Sequence, residues 1–203
     1  MSSPSDFAAA ASALAADGWC MLPGLLDDRQ TDALGRECAA MHDAGRLLPA
    51  RTGADRTTST LRGDSTHWFA TGAMTMPQQA FADRMDELRQ TLGRELMLGL
   101  VDCESHYAVY GPGAGYARHL DRLRGNDARV ISAVFYLNRN WLDAQGGALR
   151  LYLGDGSQRD IYPHMGSLLL FLSGQFEHEV LPATRDRMSI ASWMRQRAVG
   201  ANG

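Results

Sequence analysis

The hydrophobic pattern changes character half-way along the chain. In the first hundred residues, apolar positions recur at helical spacing: Phe81, Met85, Leu88 and Leu92 repeat at steps of three and four residues. Such a stripe lies on one face of an α-helix, because the helix completes a turn every ~3.6 residues. The segment 76–97 is therefore predicted to be a long helix, with a proline in its first turn.

Two shorter helices and one strand are predicted before it. An alanine-rich helix covers residues 6–16 and is stopped by a glycine. A second helix begins at Asp27 or Asp28 and ends near Ala44, with its apolar residues on one stripe. The sequence WCML at 19–22, closed by a Pro-Gly pair, is predicted to be a strand.

Residues 48–74 lack this periodicity. They are rich in Gly, Thr, Ser, Arg and Asp and poor in apolar side chains. We predict a mobile loop or hairpin here, with a short strand near residues 66–69.

The second half of the chain consists of short apolar runs, several of which alternate in period two. These runs are ESHYAVY, YARHL, RVISAVFYLN, GALRLYL, SLLLFL, HEVLP and RMSIASWM. Glycine-rich turns separate them, and many short strands at this spacing predict a barrel or a double-sheet jelly roll. We expect one domain over residues 1–203, with helical support in 1–100 and the jelly roll in 101–197.

Composition narrows the classes of partner. The net charge of −3 argues against a nucleic-acid partner. No apolar run approaches the ~20 residues that a membrane span needs, and the N-terminus is a poor signal peptide. The three cysteines form no C-x-x-C pair and suit a reducing compartment. A soluble cytoplasmic protein without a membrane partner is expected.

One histidine and one aspartate stand two positions apart in the stretch GYARHLDRLRG. In a strand, His119 and Asp121 would point to the same face, although an isolated pair of this kind is most often an ordinary polar pair. His178, on a separate predicted strand, supplies a third ligand. Two histidines and one carboxylate form the facial triad of non-haem Fe(II) oxygenases. Arg187, on the strand that follows, offers a planar fork for a carboxylate.

Four further groups of residues extend this pattern. In chain order they are Tyr110 with Gly115–Asp121, Phe135–Asn138, Gly146–Arg150, and His178–Pro182 with Arg187. With an upstream Arg-Gly-Asp and Trp68, the chain resembles the 2-oxoglutarate- and Fe(II)-dependent prolyl hydroxylases. The most similar subgroup contains the hypoxia-inducible-factor prolyl hydroxylases and their bacterial relatives. The resemblance covers residues 61–193 and implies an α+β fold, a double-stranded β-helix (jelly roll) with the N-terminal helices packed on one sheet.

The resemblance also implies cofactors and an activity. His119, Asp121 and His178 would hold Fe(II), and 2-oxoglutarate would meet Arg187 through its C5 carboxylate. Tyr136 resembles the tyrosine that shares this carboxylate, and a second tyrosine near the co-substrate is Tyr110. The family uses O2 to convert 2-oxoglutarate to succinate and CO2 while it hydroxylates C4 of a prolyl residue. Stimulation by ascorbate is a further expectation.

The expected substrate is a protein or peptide that presents a proline, and elongation factor Tu is a candidate by similarity. Asp64 and Arg129 match an ion pair of the family, and we predict that they form a latch when the loop closes. Tyr116, Arg118 and Trp193 are expected near the substrate.

Two alternatives stay open. The protein could hydroxylate a free amino acid or small peptide, although the long segment 48–74 favours a macromolecular substrate. It could also be a metal-binding jelly-roll sensor without turnover.

Overall fold

The computed structural model describes residues 1–52, 57–58, 62–121 and 128–197. Within these ranges the helices are α1 (Pro4–Asp17), α2 (Asp28–Asp43) and α3 (Met76–Glu95). Each is preceded by a capping side chain, from Ser3, Asp27 and Thr75 respectively, which accepts a hydrogen bond from the first turn. The three predicted helices are confirmed, with ends shifted by one or two residues. None of the helices in the described ranges is long and apolar enough to cross a membrane.

Thirteen strands are found in the described part of the chain. They are β1 (Trp19–Pro23), β2 (Leu48–Pro49), β3 (Arg51–Thr52), β4 (Thr57–Thr58), β5 (Asp64–Trp68), β6 (Leu100–Tyr110), β7 (Tyr116–His119), β8 (Arg129–Tyr136), β9 (Leu149–Tyr152), β10 (Gln158–Ile161), β11 (Ser167–Leu172), β12 (His178–Val180) and β13 (Arg187–Gln196). A short 3₁₀-helix covers Asp143–Gln145.

The strands form two main antiparallel sheets. The larger has the order β1-β11-β8-β13-β6-β5-β2, the smaller has the order β10-β9-β12-β7, and β3 pairs with β4. The predicted jelly-roll core, with the N-terminal helices on one sheet, is confirmed.

Strand β11 of the larger sheet is buried on both faces. Leu168 and Leu170 join the core that the three helices form with this sheet, whereas Leu169 and Phe171 face a second apolar cluster that includes Leu151 of the smaller sheet. A strand covered on both sides reads as a continuous apolar run, as SLLLFL does. The inner faces of the two sheets enclose the pocket described next.

The segment predicted to be a mobile loop is in part a regular sheet edge. β5 pairs along its whole length with β6, and β2 pairs with β5. The predicted strand near residues 66–69 therefore exists but begins at Asp64, two residues earlier. Residues 53–56 and 59–61 of this segment lie outside the described ranges.

Candidate metal centre

Three side chains converge at one end of the paired strands β7 and β12. His119 ends β7 and pairs in register with His178, the first residue of β12. Nε2 of His119 lies 3.6 Å from Oδ1 of Asp121, and Nε2 of His178 lies 3.6 Å from Oδ2. The three ligand atoms lie within 4.8 Å of one another. The expectation that one strand carries both His119 and Asp121 is wrong, because β7 ends at His119 and Asp121 stands in the bend that follows.

Backbone carbonyls fix which nitrogen each histidine presents. Nδ1 of His119 lies 2.8 Å from the carbonyl of Ala117, and Nδ1 of His178 lies 3.2 Å from that of Phe176. A carbonyl oxygen only accepts, so each ring carries its proton on Nδ1. Both Nε2 lone pairs are therefore available to a metal, in the arrangement that metal-binding histidines use.

The carboxylate of Asp121 is held in its charged form. Burial opposes this charge, but His178, His119 and the hydroxyl of Ser132 together hold the pKa of Asp121 below its ordinary value. Ser132 donates to Oδ2 at 2.7 Å and also contacts the hydroxyl of Ser173 at 2.8 Å. Burial lowers the pKa of His178, and Asp121 offsets this only in part. The site therefore offers two imidazoles, of which that of His178 is held neutral by burial, and one carboxylate, a donor set that suits Fe(II).

Arg187 lies at the far end of the same pocket and is 1% exposed. Its Nε donates to the carbonyl of Gly147 at 2.8 Å, and its Nη1 contacts Ser189 at 3.3 Å. Gly147 has φ +71°, and a Cβ there would come within 2.9 Å of the Trp141 ring, so only glycine fits this support. Nη2 of Arg187 is shielded from solvent and has no partner among the described residues.

Two tyrosine rings flank this guanidinium. The centroids of Tyr136 and Tyr110 lie 5.2 Å and 5.4 Å from the guanidinium carbon. Burial raises the pKa of Tyr136 to about 12 and raises that of Tyr110 further, so both hydroxyls stay protonated. The Tyr136 hydroxyl lies close enough to Arg187 for the guanidinium to oppose the rise in its pKa, but it forms no hydrogen bond of normal geometry in the described chain. Buried donors of this kind are expected to be paired, and a carboxylate would satisfy both. The residues present thus fit a dicarboxylate that reaches from Arg187 toward the metal ligands.

The predicted latch between Asp64 and Arg129 is not formed in this structure. Asp64 is buried and accepts two hydrogen bonds from Arg62, at 2.6 Å and 2.9 Å. Arg129 instead donates to Glu104, at 2.8 Å and 3.0 Å. Both residues do line the pocket, but each is paired with a neighbour that the sequence reasoning gave no role.

Tyr116 and Arg118 stand two positions apart on β7, where strict alternation would put them on one face, but the pairing of β7 with β12 is irregular between Tyr116 and His119 and their contacts differ. Tyr116 lines the pocket and stacks on His119, with ring centroids 3.6 Å apart and planes 19° apart. Arg118 forms an ion pair with Glu177 and covers the Tyr152 ring at 3.7 Å. The expectation that Arg118 lies near the substrate is therefore not supported by its position. Successive side chains of a strand point to opposite faces, so Arg118 is turned away from the side that His119 faces.

Comparison with known proteins now decides the family. The sequence pattern of the 2OG-Fe(II) oxygenase superfamily matches residues 105–195. Human prolyl hydroxylase EGLN3 is 30% identical over 187 residues, which cover 87% of this chain and 77% of that protein. A Pseudomonas putida prolyl-4-hydroxylase of known crystal structure is 42% identical in sequence, and the two structures superimpose with a TM-score of 0.86. The match covers 94% of this chain and 99% of that one. The chain belongs to the prolyl hydroxylase family.

Members of this family are oxygenases that use Fe(II), 2-oxoglutarate and O2, and the triad and Arg187 are the residues of this chain that fit those groups. Human Egl nine homolog 1 is 31% identical over 188 residues, which cover 87% of this chain but 43% of that protein. The chain thus spans about half the length of the first curated relatives that it matches. The expected stimulation by ascorbate stays a prediction.

Three residues that line the pocket of this chain were given no role by the sequence patterns. Arg62 lies in the Arg-Gly-Asp stretch and pairs with Asp64, whereas the sequence led us to expect Arg129 as the partner of Asp64. Ser132 could have been found from the alternation of β8, since it faces inward as Tyr136 does. His106 alternates with Ala108 and Tyr110 on β6, all three of which line the pocket.

Proposed function

We propose that the protein hydroxylates a prolyl residue of a protein substrate, with 2-oxoglutarate and O2 as co-substrates and succinate and CO2 as co-products. The observation that carries the proposal is the joint arrangement in one pocket of three metal-ligating side chains and a buried, incompletely paired Arg187. The relatives named above as prolyl hydroxylases support the target residue, because a prolyl residue is a proline within a peptide chain.

In this mechanism the protein orients its ligands and moves no catalytic proton of its own. Fe(II), when bound, supplies the electrons through which O2 is activated. His119, Asp121 and His178 would hold the metal, because their ligand atoms lie within 4.8 Å of one another. Arg187 and Tyr136 would anchor the distal carboxylate of 2-oxoglutarate and fix its distance from the metal ligands. Tyr116, stacked on His119, restrains that imidazole.

A macromolecular substrate and a cytoplasmic location belong to the proposal. Trp68 is 49% exposed beside pocket residues His106 and Trp193, and so offers apolar surface to a bound chain. Cys20, Cys38 and Cys103 are all free thiols, which suits a reducing compartment. Elongation factor Tu is the first candidate, by resemblance to the bacterial members of the subgroup.

The test is mass spectrometry of proteins from host cells with and without the enzyme. An oxygen-mass increase on a proline that depends on the enzyme is expected. The matched control is the His178→Ala variant expressed at the same level, which should give no modification. Absence of any enzyme-dependent prolyl oxidation would contradict the proposal. Modification of another protein, with elongation factor Tu unmodified, would exclude only elongation factor Tu as the substrate.

The two alternatives predict different results in simple assays. A hydroxylase of free amino acids would form succinate faster with free proline than with prolyl peptides. A sensor without turnover would bind metal but form no succinate from 2-oxoglutarate under any condition. If 2-oxoglutarate does not bind the Mn(II)-loaded protein, the protein cannot be a 2-oxoglutarate-dependent oxygenase and the proposal is wrong.

A further inference from the structure

Besides the unpaired atoms of Arg187 and Tyr136, the pocket contains a second pair of buried polar atoms without hydrogen-bond partners among the described residues. Nε2 of His106 and Nε1 of Trp193 are shielded from solvent, and neither has a hydrogen-bond partner in the described ranges. Both residues line the pocket, and they are 1% and 6% exposed. Arg187 and Tyr136 present the same pattern where the co-substrate fits. Since an unpaired buried polar atom is costly, a missing ligand is the simplest account of both pairs.

The register of the larger sheet separates the two ends. Arg187 pairs with Tyr110, whereas His106 pairs with Ala191, four residues further along β13. Four residues of strand span about 13 Å. Trp193 pairs across β13 and β8 with Ser132, the residue that holds Asp121. His106 and Trp193 thus lie toward the metal ligands, on the side opposite the anchor for the distal carboxylate.

The hydrogen-bonding sense of each atom is fixed. Nδ1 of His106 lies 2.9 Å from the carbonyl of Tyr107, so it carries the proton and Nε2 is an acceptor. Burial lowers the pKa of His106 to about 4, so the ring is neutral near pH 7. The indole Nε1–H of Trp193 can only donate. The neighbouring charge is already matched, because Arg129 covers the Trp193 ring at 3.7 Å and donates to Glu104.

A ligand for this pair must bring one donor and one acceptor without net charge. A carboxylate against Nε2 of His106 would be repelled, since both groups carry lone pairs. A peptide main chain supplies both an N–H and a carbonyl. The target proline has no N–H within a peptide, so the donor must come from a residue beside it.

We propose that His106 and Trp193 form a main-chain recognition subsite for the prolyl peptide. His106 Nε2 accepts the amide N–H of a residue next to the target proline, and Trp193 Nε1–H donates to a carbonyl of the same stretch. Trp68 packs on His106 with ring centroids 4.6 Å apart, and this half-exposed residue borders the subsite. The subsite rests on the proposed function and specifies how that site distinguishes a peptide from a free amino acid.

The test uses the peptide around a proline that the wild-type protein hydroxylates in host proteins. It is synthesised with native amides and with N-methyl groups on the residue before or after the proline. With the wild-type protein, one of the two methylated peptides should show a KM about tenfold higher, the loss expected for one unmade buried hydrogen bond. The KM for 2-oxoglutarate should stay within about twofold.

Variants then assign the effect to His106. His106→Phe keeps an aromatic ring but removes the acceptor, so the KM for the native peptide should rise about tenfold and the penalty for N-methylation should vanish. His106→Gln, whose amide oxygen can accept, should recover much of the affinity. Trp193→Phe should raise the same KM, and His42→Phe, on α2, is the matched control.

The possible failures are distinguishable. A His106→Phe variant with the wild-type peptide KM, or one that retains the N-methylation penalty, would overturn the subsite while leaving prolyl hydroxylation intact. If wild-type protein hydroxylates no proline, the proposed function fails and the subsite fails with it. If His106→Phe does not fold, the methylated peptides with wild-type protein and the His106→Gln variant still decide the question.

Discussion

His119 and His178 face each other across paired strands, with their ring centroids 4.2 Å apart. Alanine at either position, or at Asp121, should abolish Mn(II) binding and turnover, because each change leaves two of the three ligands. The fold should survive, because none of the three ligands belongs to the two large apolar clusters of the described chain. Mn(II) titration and circular dichroism would check this. His164→Ala, an exposed histidine paired with Asp143, should bind Mn(II) as the wild type does.

The hydroxyl of Ser132 should set the metal affinity without touching the metal. It donates to Oδ2 of Asp121, so Ser132→Ala frees this carboxylate to rotate. Losses of about 10- to 100-fold in affinity are typical when such supporting contacts are removed. Isothermal titration with Mn(II) would measure the effect, and Ser132→Thr should restore affinity because it keeps the hydroxyl. Equal affinities for the alanine and wild-type proteins would show that Asp121 needs no such support. Ser157→Ala, on the exposed turn before β10, is a suitable control.

Arg187→Lys should raise the KM for 2-oxoglutarate by at least about tenfold, although the positive charge is kept. A lysine cannot contact Gly147 and a carboxylate with the geometry of a planar guanidinium. Tyr136→Phe should produce a smaller rise, of a few-fold, from one lost hydrogen bond. Steady-state succinate formation over a range of 2-oxoglutarate concentrations measures both. Arg159→Lys, at an exposed position of β10, should leave the KM unchanged.

Asp64→Ala should destabilise the protein as well as weaken peptide binding. Arg62, with 16% of its side chain exposed, would lose the carboxylate that it contacts at 2.6 Å. Removing one partner of a largely buried ion pair costs roughly 3–5 kcal/mol in the free energy of unfolding. Urea denaturation would detect this loss, while Mn(II) affinity should persist. The double variant Arg62→Met, Asp64→Leu should recover much of the stability. An unchanged peptide KM in Asp64→Ala would exclude a role of this pair in substrate binding.

Acid should destabilise the protein partly through His106. The pKa of His106 is 6.5 when the side chain is fully solvated, as in the unfolded chain, and burial lowers it to about 4 in the folded protein. The unfolded chain therefore binds more protons between these values, so stability is full above pH 6.5 and is lost as pH falls toward 4. The loss is on the order of 3 kcal/mol for this one group. Denaturation curves of metal-free protein at several pH values should show a shallower decline for His106→Phe, and parallel declines would contradict the assignment.

Much of the site could be predicted because its chemistry is carried by unusual residue types at fixed spacing. His119, Asp121, His178 and Arg187 were found in this way, and the structure brings them into one pocket. The partners of Asp64 and Arg129 could not be found, because several acids and arginines compete and only the paired strands decide which meet. The end of β7 was misjudged for a similar reason, since no turn signal stands between His119 and Asp121.

The fold was predictable where periodicity is strong and less so where pairing decides. The helices and the apolar run of β11 follow from their own residues. β5 does not, because DSTHW is polar and becomes a strand only by pairing with β6. Local composition therefore indicated a loop with only a short strand near residues 66–69, whereas pairing with β6 extends the strand back to Asp64.

The two walls of the pocket differ greatly in how firmly they are held. Both strands have two neighbours, but β12 has three residues, whereas β13 has ten residues and so forms longer ladders. The two metal-ligating histidines thus project from the sheet with the shorter strands, and the carboxylate anchor Arg187 from the sheet with the longer ones. Local opening of a protein concentrates where backbone hydrogen bonds are few. A bound metal would therefore link the short strands β7 and β12, so the ion that supports the chemistry would also stabilise its own binding site against local unfolding.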